Sequence, residues 1–184
     1  MTYLEAINIC LTALGEARVT SDTTRNPTVD LIRGVLDAKR RELLEPGWWF
    51  NTVFEAKMYP GLDGTIEAPV EAFSIFGKTA RLIERDGMLF DLTNNTKFFT
   101  GPQVLSYTYD MEHGNLPEAA ANVVTFRAAI EVYTGDLGTD GNIETYQEQV
   151  VRNYQTMELL HLRNMAYNTK QRADWRRYRN ALRG

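Results

Sequence analysis

Few side chains in this sequence combine the type and the spacing that chemistry needs. His113 and His161 are its two histidines. A histidine works as a metal ligand or proton carrier when cysteines or carboxylates stand at matching spacing. Neither has such neighbours, so His113 reads as a loop histidine and His161 as one on a helix surface. Asp136-x-Gly138-x-Asp140-Gly141 has part of the spacing of a calcium loop. Its third position is Gly138 and its twelfth is Gln147, so a helix connection rich in Asp and Gly is the simpler reading. Glu84 and Asp91 could serve as acid and base across a hairpin, a pairing that any surface sheet offers. There is no glycine-rich phosphate loop and no GxSxG nucleophile elbow. The expectation is a protein with no catalytic, cofactor-binding or metal-binding residue.

The remaining chemistry is that of recognition, and it sits at the C-terminal end. Arg163, Lys170, Arg172, Arg176, Arg177, Arg179 and Arg183 stand there against Asp174 alone. This end carries +6 and the rest of the chain −10, for a net charge of −4. Such a segment seeks an acidic partner, protein or nucleic acid. Tyr167, Trp175 and Tyr178 are interleaved with the cations. Aromatics so placed stack on bases or anchor a protein contact, and composition alone does not separate the two. Arg172, Arg176, Arg179 and Arg183 recur at a 4-3-4 spacing, one face of a helix.

A second aromatic cluster lies inside the chain, in Pro46-Gly47-Trp48-Trp49-Phe50-Asn51. Pro46 and Gly47 end a helix. In an extended strand Trp48 and Phe50 would face one way and Trp49 the other. Gly47, Trp48, Trp49 and Phe50 are thus expected to be structural, pinning a helical unit to a β unit. An exposed stacking platform is the alternative.

The elements on either side follow from periodicity. Thr2-x-x-Glu5 is a capping box opening a helix with the stripe Leu4, Ile7, Leu11 and Leu14. Cys10, beside that stripe, reads as a small buried hydrophobe. Asn26-Pro27 opens a second helix, to about Glu45, with Val29, Ile32, Leu36 and Leu43 on one face. From Trp48 to Tyr109 the period is two. Trp48–Tyr59, Phe73–Phe76, Lys97–Phe99 and Val104–Tyr109 read as strands. Asp86-Gly87 between two apolar runs is the clearest hairpin signal. Helix returns at Leu116-Pro117-Glu118, with Val123, Phe126, Ile130 and Tyr133 as its stripe. A loop then covers Thr134 to Asn142. The last helix carries Ile143, Tyr146, Val150, Tyr154, Met157 and Leu160 on one side, and its stripe thins after Leu162. The fold expected is α+β: an antiparallel four-helix bundle, residues 1–47 and 111–165, with an inserted antiparallel β-sheet domain, residues 48–110, and a basic arm, residues 166–184.

At 184 residues the chain can bury a core without staples. A single cysteine leaves no intrachain disulfide and fits a reducing compartment. No apolar run approaches the ~20 residues of a membrane helix. Met1-Thr2-Tyr3-Leu4-Glu5 lacks the basic start and apolar block of a signal peptide, so no membrane anchoring is expected.

Three stretches together carry a resemblance: Ala13-Leu14-Gly15-Glu16-Ala17-Arg18-Val19; Arg40-Arg41-Glu42-Leu43-Leu44-Glu45-Pro46-Gly47-Trp48-Trp49-Phe50-Asn51; and Asp86-Gly87-Met88-Leu89-Phe90-Asp91 with Leu116-Pro117-Glu118 and a long C-terminal helix. Over residues 1 to about 165 the chain resembles the tail tubular protein A family, the head-to-tail adaptors of short-tailed phages (podoviruses). The resemblance implies a non-enzymatic virion protein, made in the host cytoplasm, whose subunits form a ring, typically of twelve, between the portal protein and the tubular tail nozzle. It implies that the helical part docks the portal. The β part would face the nozzle and neighbouring subunits, near where tail fibres attach. DNA would pass through the lumen, which an acidic body suits. The isolated subunit would be a monomer. The basic arm matches no motif of that family. Its candidate contacts with the portal are Arg163, Lys170, Arg172, Trp175, Arg176, Arg177, Tyr178, Arg179 and Arg183. Two other classes remain as alternatives: a nucleic-acid-binding module using the basic aromatic end, and a small polysaccharide hydrolase of the tail.

Overall fold

Thr2 opens the first helix by accepting a hydrogen bond from the Glu5 N–H (3.2 Å), while the Glu5 carboxylate accepts from the Thr2 N–H (2.7 Å). The computed structural model describes residues 1–138 and 142–165, and in it this helix, α1, spans Tyr3–Ala13. Helix α2, Pro27–Leu44, starts at Asn26, whose side chain accepts from the Thr28 N–H, with Pro27 supplying the helical φ. Strands β1 (Thr52–Met58), β2 (Ala72–Gly77), β3 (Leu82–Arg85), β4 (Met88–Asp91) and β5 (Gln103–Tyr109) follow. Helices α3 (Glu118–Leu137) and α4 (Asn142–Asn164) close the described chain. Among the described residues the class is α+β, with four α-helices, a short 3-10 turn at His113–Asn115 and antiparallel sheet.

Two hydrophobic cores form, one for each type of element. In the first, α3 is the central helix and α1, α2 and α4 each pack on it. Its buried small residues Ala120, Ala121, Ala128 and Ala129 let the neighbours approach closely, and Ile7, Leu11, Ile32, Leu36, Val124 and Met157 fill the space between. Cys10 lies in this core, and burial pushes its thiol up to about 12. The second core, Ile66, Leu82, Leu89, Phe99 and Leu105, is closed by the strands and their loops.

The β region is two sheets rather than one. Strands β1, β5 and β2 make a three-stranded antiparallel sheet with β5 in the middle, and β3 and β4 make a separate hairpin. The hairpin turns at Asp86-Gly87, both with positive φ (54° and 75°), as a type I′ turn demands. Lys97–Phe99 is not a strand. After the Asp91–Thr96 bridge the chain curls, and the Phe99 N–H donates to the Gly64 carbonyl, which buries the Phe99 ring. Helix α3 also runs on to Leu137, into the stretch expected to be loop, so Asp136 is helical. Trp48–Phe50 precede β1 in a turn instead of starting the strand.

Candidate functional site

The aromatic run lies where the chain leaves the helices for the sheet. Gly47 has φ +86°, and a Cβ there would meet the Thr108 Cγ2 at 2.5 Å, so the turn closes against β5 only with glycine. Trp48 then drops into the helical core. It is 7% exposed, and its indole N–H donates to the Leu43 carbonyl (2.7 Å). Its ring meets Tyr154 and His161 of α4 edge-on, with centroids 5.7 and 5.4 Å away. Trp49 and Phe50 do not alternate as in a strand. They stack edge-to-face on each other at 4.8 Å, both half-buried, because a turn brings successive side chains together. No open aromatic platform results from this packing.

His161 belongs to the same cluster: its Nδ1 accepts from the Trp49 N–H (3.2 Å). It joins α4 to the turn instead of standing on a helix surface. His113 does lie in the connection between β5 and α3, in the short 3-10 turn His113–Asn115, but it is buried there. It is 3% exposed and stacks edge-on against Tyr3. Neither of its ring nitrogens has a hydrogen-bond partner among the described residues. Burial pushes the imidazole down to about 4, assisted by the nearby Met1 amine and Arg40, so the ring is neutral near pH 7.

Sequence reasoning gave no role to the residue that organises the junction. Asn51 is fully buried, and its side chain makes three bonds to main chain. Its Oδ1 accepts from the Trp48 N–H (2.7 Å), and its Nδ2 donates to the carbonyls of Leu44 (2.9 Å) and Tyr109 (3.0 Å). One amide thus holds the end of α2, the turn and the end of β5. Next to it Asp110 binds Arg40 (3.1 Å) and Arg41 (3.5 Å) from the last turns of α2. The available signal was an asparagine closing an aromatic run at a turn. Its partners are non-local and were not readable.

The remaining candidates are not brought into a reactive constellation. Cross-strand register pairs Glu84 with Leu89 and Asp91 with Leu82, so the two carboxylates are not opposite each other. Asp91 is buried. It accepts from the Asn94 side chain and from the Thr93 and Asn94 N–H groups, which hold its carboxyl below the usual range. Glu84 accepts from the Gly87 N–H at the hairpin turn. Among the described residues no group of three His, Cys, Asp or Glu could hold a metal ion. Nor is any described helix long and apolar enough to cross a membrane. Arg163 is exposed near the end of α4. Lys170, Arg172, Trp175, Arg176, Arg177, Tyr178, Arg179 and Arg183 lie outside the described residues, as do Asp140 and Gly141.

A helical unit and a β unit, each with its own core, meet at a buried aromatic-asparagine turn. A family model described as "Tail tubular protein" matches residues 4–170, and the chain belongs to that family of structural phage-tail proteins. It is also similar to tail tubular protein A of Klebsiella phage KP34, with 39% identity over 184 residues, covering 98% of each chain.

Proposed function

We propose that this protein is the head-to-tail adaptor of a short-tailed phage, a non-enzymatic subunit that assembles as a ring between portal and tail nozzle and lines the DNA exit channel. The observation carrying this reading is the two-core build with the Asn51 clasp, in a chain of the tail tubular protein family. A subunit that bridges two different neighbours needs two faces held at a constant angle. The clasp of Asn51, Asp110 and Trp48 supplies that stiffness.

In this reading residues 1–47 and 111–165 form an antiparallel four-helix bundle that meets the portal, and residues 48–110 are a β domain facing the nozzle and neighbouring subunits, close to the tail fibres. The ring has twelve copies in the virion and the free subunit is a monomer, because each lateral contact is modest and multivalent docking on the portal supplies the rest. The basic segment 166–184, with Arg163, is the arm that grips the portal through Arg–carboxylate pairs and aromatic burial. Electron microscopy of the purified protein at high concentration, with and without portal, tests the class. Rings with a central hole on the portal are expected; no ring in either sample would overturn the reading. A chain truncated after Asn164 should fold with a near-normal melting temperature yet fail to join portal-containing particles. Normal assembly by that truncation would remove the arm from the mechanism, and loss of DNA retention alone would make it a nucleic-acid contact.

A further inference from the structure

The β unit is a two-layer body with apolar side chains on both of its outer faces. Its core lies between the three-stranded sheet, through Leu105, and the hairpin, through Leu82 and Leu89. Side chains alternate along a strand, so the residues next to these look away from the core. On the sheet, register sets Phe76 opposite Ser106 of the central strand. The β1 register passes from Val53 to Ala56 across the same point, so Phe54 and Glu55 share the position opposite Ser106. Glu55 takes φ +51° there, and its N–H donates to the Ser106 hydroxyl (3.1 Å). A left-handed glutamate costs energy. The bulge it makes leaves Phe54 52% exposed, across β5 from Phe76 at 62%. On the hairpin, Ile83 and Phe90 are partners in register, and Leu92 just beyond them is 41% exposed. None of these five residues belongs to either core.

We propose that these faces are the two halves of one contact between copies of this chain, the sheet face of one subunit meeting the hairpin face of the next. In the ring read above they are the surfaces through which neighbours touch, and the assignment rests on that ring. A second copy is selected by number, direction, size and charge. A head-to-tail contact needs two different patches on opposite sides of one molecule, whereas a single outside partner needs one. Strand β1 leaves the junction after Asn51 and β5 returns to it at Tyr109, where the Asn51 amide holds it. Both faces therefore flank the line from the helical unit to the far end of the strands and look sideways rather than toward either end. Three strands of up to seven residues make a face of roughly 23 by 14 Å, about 300 Å², against about 800 Å² per partner for a stable pair. Such a face holds neighbours only once they are aligned on a common base. The bulge also blocks plain edge-to-edge pairing along β1, which leaves face-to-face contact. On the sheet side Lys57 and Lys78 stand against Glu55, which pairs with Lys78 (2.7 Å). Around the hairpin Glu67, Glu84 and Asp86 stand against Arg81 and Arg85, so a cation in excess on one side meets an anion in excess on the other. Faces so close to neutral disfavour a nucleic acid as occupant.

The test uses the full chain carrying Phe76→Cys and Leu92→Cys, mixed with the portal and treated with a bismaleimide, whose reach tolerates a loose register. Both positions are exposed, so the fold should survive, and Cys10 is buried and does not compete. The expected product on a denaturing gel is a ladder of covalent oligomers, formed only when one chain carries both cysteines. Each single-cysteine chain should stay monomeric. Dimers from either single variant would mean that a face meets itself and would overturn the pairing. Rings seen by electron microscopy without a ladder would overturn it too and leave the adaptor reading intact, whereas a wild-type chain that forms no ring would overturn both. Phe54→Ser with Phe76→Ser is the second variant. It should keep the wild-type melting temperature and lower ring occupancy on the portal by about tenfold or more. Unchanged occupancy would refute the role of the sheet face.

Discussion

Replacing Asn51 by alanine tests the clasp that joins the two units. The substitution removes one acceptor and two donors from a fully buried position. The three partners do not suffer equally. The Leu44 carbonyl keeps a bond from the Gly47 N–H, so its loss is partial. The Trp48 N–H has no other acceptor among the described residues, so it bears the desolvation cost of an orphaned donor, about 1–3 kcal/mol. With the weakened Tyr109 carbonyl and the small void left by the amide, a loss of about 3 kcal/mol is expected, a large share of a domain's stability. Urea unfolding followed by tryptophan fluorescence and by far-ultraviolet circular dichroism measures it. The two probes should separate in the variant, because fluorescence sums the three tryptophans and so weights the junction, where Trp48 and Trp49 lie, while dichroism sums both units. Asn51→Asp sharpens the argument. A carboxylate would point at two carbonyl oxygens, so its folded pKa should rise, and the variant should regain stability as pH falls through that pKa. A loss under about 1 kcal/mol for Asn51→Ala, with coincident transitions, would refute the clasp.

Other perturbations follow from the same geometry. Trp48→Ala should cost ~3–5 kcal/mol and Trp49→Ala clearly less, since only Trp48 is buried; thermal melts of the two variants compare them directly. Gly47→Ala should destabilise by more than Gly87→Ala, because both have positive φ but only Gly47 faces a side chain at 2.5 Å; equal melting temperatures would contradict this. For His113 the folded pKa lies below the ordinary histidine value, so the unfolded chain takes up the proton first. The wild type should therefore lose stability as pH falls from about 6.5 to about 4, by on the order of 2 kcal/mol, and His113→Phe should flatten that part of the pH profile.

The basic arm and the acidic body were legible as charge alone, whereas pairing depended on where each carboxylate came to lie. Asp110 sits next to Arg40 and Arg41 because α2 ends where β5 ends. Among the described residues Glu144, Glu148 and Glu158 of α4, all exposed, form no ion pair.

What the sequence by itself determined is local physics. The capping box at Thr2, the Asn26-Pro27 start, the stripes of α2 and α4 and the Asp86-Gly87 hairpin depend on neighbours within four residues or on φ preferences, and they appear where the residues call for them. The Gly-Trp-Trp-Phe-Asn junction was visible as a change of period and carried the family resemblance. Only the tertiary structure decided what that junction does. Trp48 enters the helical core because α4 brings Tyr154 and His161 to it. Asn51 becomes a clasp because Tyr109, far away in sequence, ends beside it. His113 is buried because Tyr3 covers it. The β residues divide into two sheets because β5 pairs on both edges with β1 and β2 and leaves the hairpin to pair with itself. Each of these outcomes depends on contacts between residues distant in the chain, and those contacts exist only once the helices and strands have packed.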